Sequence, residues 1–296
     1  MKFKNELNTD IGVIDMTIRN IKKTVKGRQT YDGAGVKLIR VIGPEEIKDV
    51  DPFLMLDAFD SKHPEDYIKG FPMHPHRGIE TITYLIEGEM VHRDSLGNEG
   101  TIHTGESQWM TAGSGILHEE MPIESEHFFG LQIWLNLAQK DKMVNPEYFD
   151  INHDMIKTVD EENATVRIIS GKYKNVNGVG TNHLQVNLFD ITLKPNKDIQ
   201  IPIPNKQTLF IYIIEGEGYF GAKGNHVENR TVAIFDEGDS FYGKSGDEGI
   251  RFILFSGEPL NEPVAWGGPI VMNDELELEK AFNELQNGTF IKENHE

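Results

Sequence analysis

The sequence predicts an all-β protein built from two copies of one barrel-forming unit and closed by a single helix. Three observations carry this prediction. Short apolar and β-branched runs recur between turn-rich stretches, which is the pattern of strands. ITYLIEGEM at 82–90 is answered by FIYIIEGEG at 210–218, and GESQWM at 105–110 by GDSFYG at 238–243, as a duplicated β unit requires. Asp274 and Glu277 have capping-box spacing ahead of the stripe Leu278, Ala281, Phe282 and Leu285, with Gly288 just past the end, so the chain finishes in a helix that covers a sheet end or edge.

In chain order, IGVIDMTI (11–18) and VKLIRVI (36–42) are expected as strands joined by the loop GRQTYDGAG. Pro52 opens an apolar strand through DVDPFLMLDAFD, and SKHPEDYIKG reads as a polar loop. Ile79 to Ile86 form a strand that ends at Glu87-Gly88-Glu89, where Gly88 can take the positive φ of a turn. Return strands follow over 90–93 and 100–103, then Gln108 to Ala112, a bend at Gly113-Ser114-Gly115, and FFGLQIWLN at 128–136. Residues 137–163 are charged and weakly patterned, with room for a short helix, and read as a connector. The expected division is 1–145 and 146–296.

At 296 residues and 38% hydrophobic content the chain can bury ordinary cores. Its formal charge of −19 excludes phosphate-backbone binding and anionic membrane surfaces as primary functions. No apolar run reaches the ~20 residues of a membrane helix, and 1–24 lacks the apolar centre of a signal peptide, so a cytoplasmic location is expected. With no cysteine there are no disulfides, thiolate nucleophiles or thiolate metal sites. Any metal must be held by His, Asp or Glu.

The candidate site lies in 70–122. His74 and His76 form one pair and His118 and Glu120 another, each at i, i+2, so each pair points to one face of a strand. Three imidazoles and a carboxylate suit Zn, Fe, Ni, Cu or Mn. Four ligands leave two open positions on an octahedral ion, room for O₂ and a chelating substrate side by side. Glu80 shares the parity of His74 and His76 and is expected as a further ligand, a partner for an imidazole, or a solvated residue. Glu119 points away. Phe71, Met73, Trp109, Met110, Ile133 and Trp134 are candidates to line an apolar pocket, with Gln132 and Arg77 to orient a substrate or anion. His63, His92, His103 and His127 lack paired spacing and are expected to be solvated or to stand behind the ligands. The second copy reads IPIPNKQ (201–207) where the first reads HPHRG, and His183, His226 and His295 are scattered, so it carries no ligands. GxSxG, Walker and GxGxxG-helix patterns are missing.

These residues carry a resemblance. DPFLMLDAFD (51–60), GFPMHPHRGIETITYLIEG (70–88), QWMTAGSGILHEEMP (108–122) and GLQIWLNL (130–137) resemble the pirins, two-domain members of the cupin superfamily. The likeness runs on weakly through GEPLNEPVAWGGPIVMN (257–273) to NGTF (287–290), covering nearly the whole chain. It implies two tandem cupin-type, jelly-roll β-barrels (a bicupin) with metal in the N-terminal barrel only. It also implies Fe(II) as the expected metal, with His74, His76, His118 and Glu120 as ligands. Some pirins, bacterial ones included, are quercetin 2,3-dioxygenases that cleave a flavonol with O₂ and release carbon monoxide. In that chemistry Glu120, or secondarily Glu80, would take the substrate's hydroxyl proton. Other pirins are redox-responsive regulators that bind protein partners, which stands here as the alternative to a small aromatic substrate.

Overall fold

The computed structural model describes residues 16–292, so most of IGVIDMTI and His295 lie outside the described residues. The first half contributes β1 (Ile21–Val25), β2 (Arg28–Asp32), β3 (Val36–Ile42), β4 (Phe53–Ser61), β5 (Phe71–His76) and β6 (Ile79–Glu87). It continues with β7 (Glu89–Asp94), β8 (Glu99–His103), β9 (Ser107–Thr111), β10 (Ile116–Ile123), β11 (Phe128–Asn136) and β12 (Glu147–Ile151). The second half holds β13 (Lys157–Asp160), β14 (Ala164–Ser170), β15 (Lys172–Tyr173), β16 (Val176–Asn177), β17 (Val186–Leu193) and β18 (Asp198–Pro202). After these come β19 (Thr208–Phe220), β20 (Asn225–Val227), β21 (Val232–Phe235), β22 (Ser240–Gly257), β23 (Ala265–Gly267) and β24 (Ile270–Met272). The helices are the single turn α1 (Ile47–Val50) and the terminal α2 (Glu275–Gln286).

The first barrel has two sheets, ordered β12-β9-β6-β11-β4-β3-β2 and β5-β10-β7-β8. The second is one coiled sheet, β1-β21-β19-β22-β17-β14-β13, with β18 on β22 and β20 on β19. Two local expectations change. GRQTYDGAG, read as a loop, contains β2, which pairs with β3 across the Gly33–Gly35 turn. The 137–163 connector contains β12 and β13, edge strands whose charged, half-exposed residues hide the alternation. One strand of the first half joins the other barrel: β1 adds to the second sheet through β21, while β12 stays with the first through β9.

The duplication is real, but one of its correspondences shifts. Sheet position makes β6 the equivalent of β19, and β9 the equivalent of β21. GDSFYG lies instead at the start of β22, where it pairs with β18 as β10 pairs with β5. It is therefore the counterpart of the strand carrying His118, not of GESQWM. There the second barrel is filled by Ile199, Ile201, Ile203 and Phe241, all buried in one apolar cluster.

The two large sheets pack face to face. Ile82, Tyr84 and Ile86 of β6 share one core with Phe210, Tyr212 and Ile214 of β19. Phe53 meets Phe210 edge-on at 4.9 Å. Within this seam Asp190 accepts two bonds from Arg251 (3.0 and 2.8 Å) and one from the Tyr84 hydroxyl (2.6 Å), while Arg167 donates to Tyr84 and to the Gly105 carbonyl. The last segment, β23 to α2, returns to the first barrel, where Val271 packs with Leu54, Ile79 and Met110. The Asp274 side chain caps α2 by accepting from the Glu277 N–H at 2.8 Å, as the capping-box spacing predicts.

Candidate metal centre and its cavity

β5 ends in a corner, Arg77-Gly78, that turns the chain into the other sheet. Gly78 has φ +75°, and a Cβ there would lie 1.9 Å from the Val271 carbonyl oxygen, so only glycine lets the returning tail pass. The buried Lys142 ammonium ties this corner together by donating to the Gly78 and Val271 carbonyls and to Asn136 (2.9, 3.0 and 2.7 Å). Burial pushes its pKa down to about 8. β10 pairs with β5 so that His118 faces His74, and a bulge follows before Glu120, which stands opposite Phe71.

His74, His76 and His118 converge, each offering a ring nitrogen within 4.8 Å of the others. His74 Nδ1 lies 2.9 Å from the Pro72 carbonyl and His76 Nδ1 3.0 Å from the Pro269 carbonyl. A carbonyl only accepts, so both rings carry their proton on Nδ1 and turn the Nε2 lone pair inward. His118 Nε2 is buried without a hydrogen-bond partner. Burial lowers the pKa of all three, that of His76 to about 3 and that of His118 well below the ordinary range. The rings are therefore neutral near pH 7, with His74 Nε2 and His76 Nε2 only 3.1 Å apart. Two facing lone pairs repel unless a cation lies between them, and ~2.1 Å nitrogen–metal bonds at about a right angle require nitrogens ~3 Å apart. The donor set fits a divalent metal.

Glu120 is buried beside this group but is not among the three converging rings. Its Oε1 contacts Thr83 Oγ1 (2.7 Å) and accepts from Gln108 Nε2 (2.6 Å). Desolvation raises its pKa to about 7 against these stabilising contacts. The single Thr83 proton faces two acceptors, because Gln132 Oε1 lies at 2.5 Å. A protonated Glu120 donating to Thr83, which then donates to Gln132, satisfies both contacts.

A cavity of about 750 Å³ opens from His74, His76 and Glu120 between Phe71, Trp134 and Trp266. Of the predicted lining, Phe71, Gln132 and Trp134 face it. Met73 is 51% exposed on the outside of the barrel. Trp109 and Ile133 lie in the seam between barrels, and Met110 in the core beneath the tail. Glu80 also departs from expectation. The Arg77-Gly78 corner breaks strand parity, and Glu80 shares the seam-facing side of β6 with Ile82 and Tyr84, opposite Thr83. It accepts from Thr111 (2.8 Å), while its other oxygen and the nearby Trp109 indole N–H make no hydrogen bond. Burial there lifts its pKa to about 7. Arg77 is a clamp on the tail. It donates to the Ser114 and Phe290 carbonyls (2.7 and 2.8 Å), pairs with Glu284 (2.8 Å) and sits 4.1 Å from the centre of the Phe290 ring. Glu119 points outward to Arg93, as expected.

Sequence reasoning missed a polar row on the inner face of the large sheet. Cross-strand partners run Arg40, Asp57, Gln132, Thr83, Gln108 and Asp150 from β3 to β12. Arg40 holds Asp57 through two bonds (2.9 and 2.7 Å), and both line the cavity. Desolvation, opposed by Arg40, raises Asp57 to about 6. A lone acid inside the apolar run FLMLDAF was the available signal. Trp266 and Pro269 gave none, since they reach the site from nearly 200 residues away.

A model of the family described as Pirin matches residues 35–135, and a model of the Pirin C-terminal cupin domain matches 188–291. A pirin-like protein of Solanum lycopersicum is 40% identical, the alignment covering 91% of this chain and 92% of that one. This chain belongs to the pirin family. Human Pirin is 38% identical over 91% of this pirin and 93% of its own length. Among solved structures, quercetin 2,3-dioxygenase from Acinetobacter baumannii superposes with a TM-score of 0.85 at 32% identity, covering 93% of this pirin and 99% of that chain. The bicupin fold expected from the sequence is the fold of this pirin. No helix among its described residues is long and apolar enough to cross a membrane.

Proposed function

We propose that this pirin is a metal-dependent dioxygenase that opens a quercetin-like flavonol with O₂, using Fe(II) held by His74, His76, His118 and Glu120. The observation that carries the reading is the convergence of three neutral imidazoles, two of which, His74 and His76, stand on the wall of a cavity with aromatic sides. The likeness to a quercetin 2,3-dioxygenase supports it. Bound there, the metal supplies Lewis acidity toward a chelating substrate and a redox centre for O₂. The chain supplies the rest. Phe71, Trp134 and Trp266 hold a flat ring system and exclude water from one side of it. Glu120, as the carboxylate and once loosened from the metal, would take the proton of the flavonol hydroxyl that enters the site, with Oε1 steadied by Thr83 and Gln108. Gln132 stands next to it with its amide nitrogen available to a substrate oxygen.

The test is anaerobic loading with Fe(II), then quercetin and O₂. Loss of flavonol absorbance with release of carbon monoxide is expected, and Glu120→Gln should lose most of the rate while keeping the fold. A fully loaded site that leaves quercetin intact and releases no carbon monoxide would refute the reading for this substrate.

A further inference from the structure

The three imidazoles are not oriented alike. His74 and His76 each donate Nδ1–H to a backbone carbonyl, but His118 has no such partner. Its Nδ1 faces His92 Nδ1 at 3.5 Å, and the far nitrogen of His92, Nε2, faces Asp94 Oδ2 at 3.4 Å. His92 and the Asp94 side chain are fully buried. The sequence places His92 among the solvated or secondary histidines; the fold gives it a built position.

Asp94 is fixed by its own turn. Oδ1 accepts from the Leu96 and Asn98 backbone N–H groups (2.9 and 3.0 Å), and Oδ2 accepts from Asn98 Nδ2 (2.8 Å). Three donors of the turn therefore hold the Asp94 side chain in place. His92 is stacked on Tyr148, with ring centres 3.9 Å apart and planes 12° from parallel. Gly100, its cross-strand partner on β8, leaves space for Tyr148, since a Cβ there would meet the Tyr148 hydroxyl at 2.4 Å. The ring can neither tilt nor rotate freely.

The hydrogen-bond polarity then runs one way. A carboxylate accepts only, so His92 presents its proton on Nε2 and its lone pair on Nδ1. That lone pair selects Nδ1–H on His118, and the His118 Nε2 lone pair, buried and without a partner, is left to face His74 and His76. We propose that His92 and Asp94 are positioning residues that set the tautomer and ring angle of His118, making the third ligand dependent on the β7–β8 turn. This rests on the metal reading above, and its test separates the two.

In the metal-free chain, nitrogen-15 NMR of labelled histidines reads the tautomer directly. Wild type should show His118 protonated on Nδ1. Asp94→Asn keeps an amide oxygen for the turn but places N–H against His92, which inverts the order and moves the His118 proton to Nε2. His92→Phe keeps the stack on Tyr148 and removes the relay. Both variants should bind Co(II), measured against a competing chelator, about 10–100-fold more weakly than wild type. An Nε2–H tautomer for His118 in wild type overturns the proposal. So does Co(II) affinity within about twofold of wild type in both variants. If wild type binds no Co(II), the metal reading fails, and the wild-type spectrum still decides the relay; if His92→Phe fails to fold, Asp94→Asn decides it.

Discussion

Arg77 directly follows His76, and its role can be settled by removing it. Its side chain is 2% exposed and makes two charge-assisted bonds to carbonyls, one ion pair and one cation–π contact. Bonds of the first kind contribute about 1.5 kcal/mol each at the low end, and a desolvated cation–π contact about 1–2 kcal/mol. The ion pair adds less than about 1 kcal/mol, because Glu284 is partly exposed and also pairs with Lys292. Arg77→Ala should therefore cost about 4 kcal/mol, which for a chain of this size lowers the melting temperature by about 7 °C. Hydrogen exchange should localise the opening to β23 through α2. Since Pro269 in the same tail orients His76, Co(II) affinity should fall in parallel. A loss below about 1 kcal/mol, with raised KM for the flavonol, would return Arg77 to the substrate-orienting role that the sequence suggested.

Glu80 and Asp190 offer two further tests. The folded pKa of Glu80 is raised from 4.5 to about 7, so the native state holds the proton longer than the unfolded chain. That contribution is complete below pH ~4.5 and is lost as pH rises through ~7. Glu80→Gln should match wild type near pH ~4.5 and exceed it by about 3 kcal/mol near pH ~8 in chemical denaturation; an equal offset at both values would refute the assignment. Asp190→Ala leaves Arg251 and Tyr84 facing an empty acceptor position in the seam, at a cost of about 3–5 kcal/mol. Calorimetry should show the barrels melting in separate steps, and a single transition with stability within about 1 kcal/mol of wild type would show that this network does not couple them.

The strands and the duplication were legible because apolar alternation is local. So was the pairing of His74 with His76, where two residues of one strand need only parity. Parity failed at Glu80 because it was carried across Arg77-Gly78, where the chain leaves one sheet for another. It also could not distinguish the two buried faces of β6, since both are covered and every residue from Ile79 to Ile86 is buried. The tail's contribution was illegible in principle, because Pro269 supplies only a carbonyl oxygen, which any residue could present. His92 was illegible for another reason: its partners are a turn carboxylate and an imidazole on a neighbouring strand, a pairing with no fixed spacing.

The repeat itself bears on why this cavity lies in the first barrel. In the alignment of ITYLIEGEM with FIYIIEGEG, Thr83 corresponds to Ile211 and Tyr84 to Tyr212. The tyrosines both face the seam, where both barrels need bulk. The preceding pair faces the interiors, and its cross-strand partners diverge likewise: Thr83 stands opposite Gln132, while Ile211 stands opposite Leu254. Ile211 and Leu254 belong to the apolar core that fills the second barrel. Thr83 and Gln132 instead bond to one another and, with Gln108, hold Glu120 at the cavity's edge, so their polar atoms are satisfied without filling the space above them. The paired histidines are thus one difference between the barrels; the other is that isoleucine and leucine pack where the first barrel has its polar row.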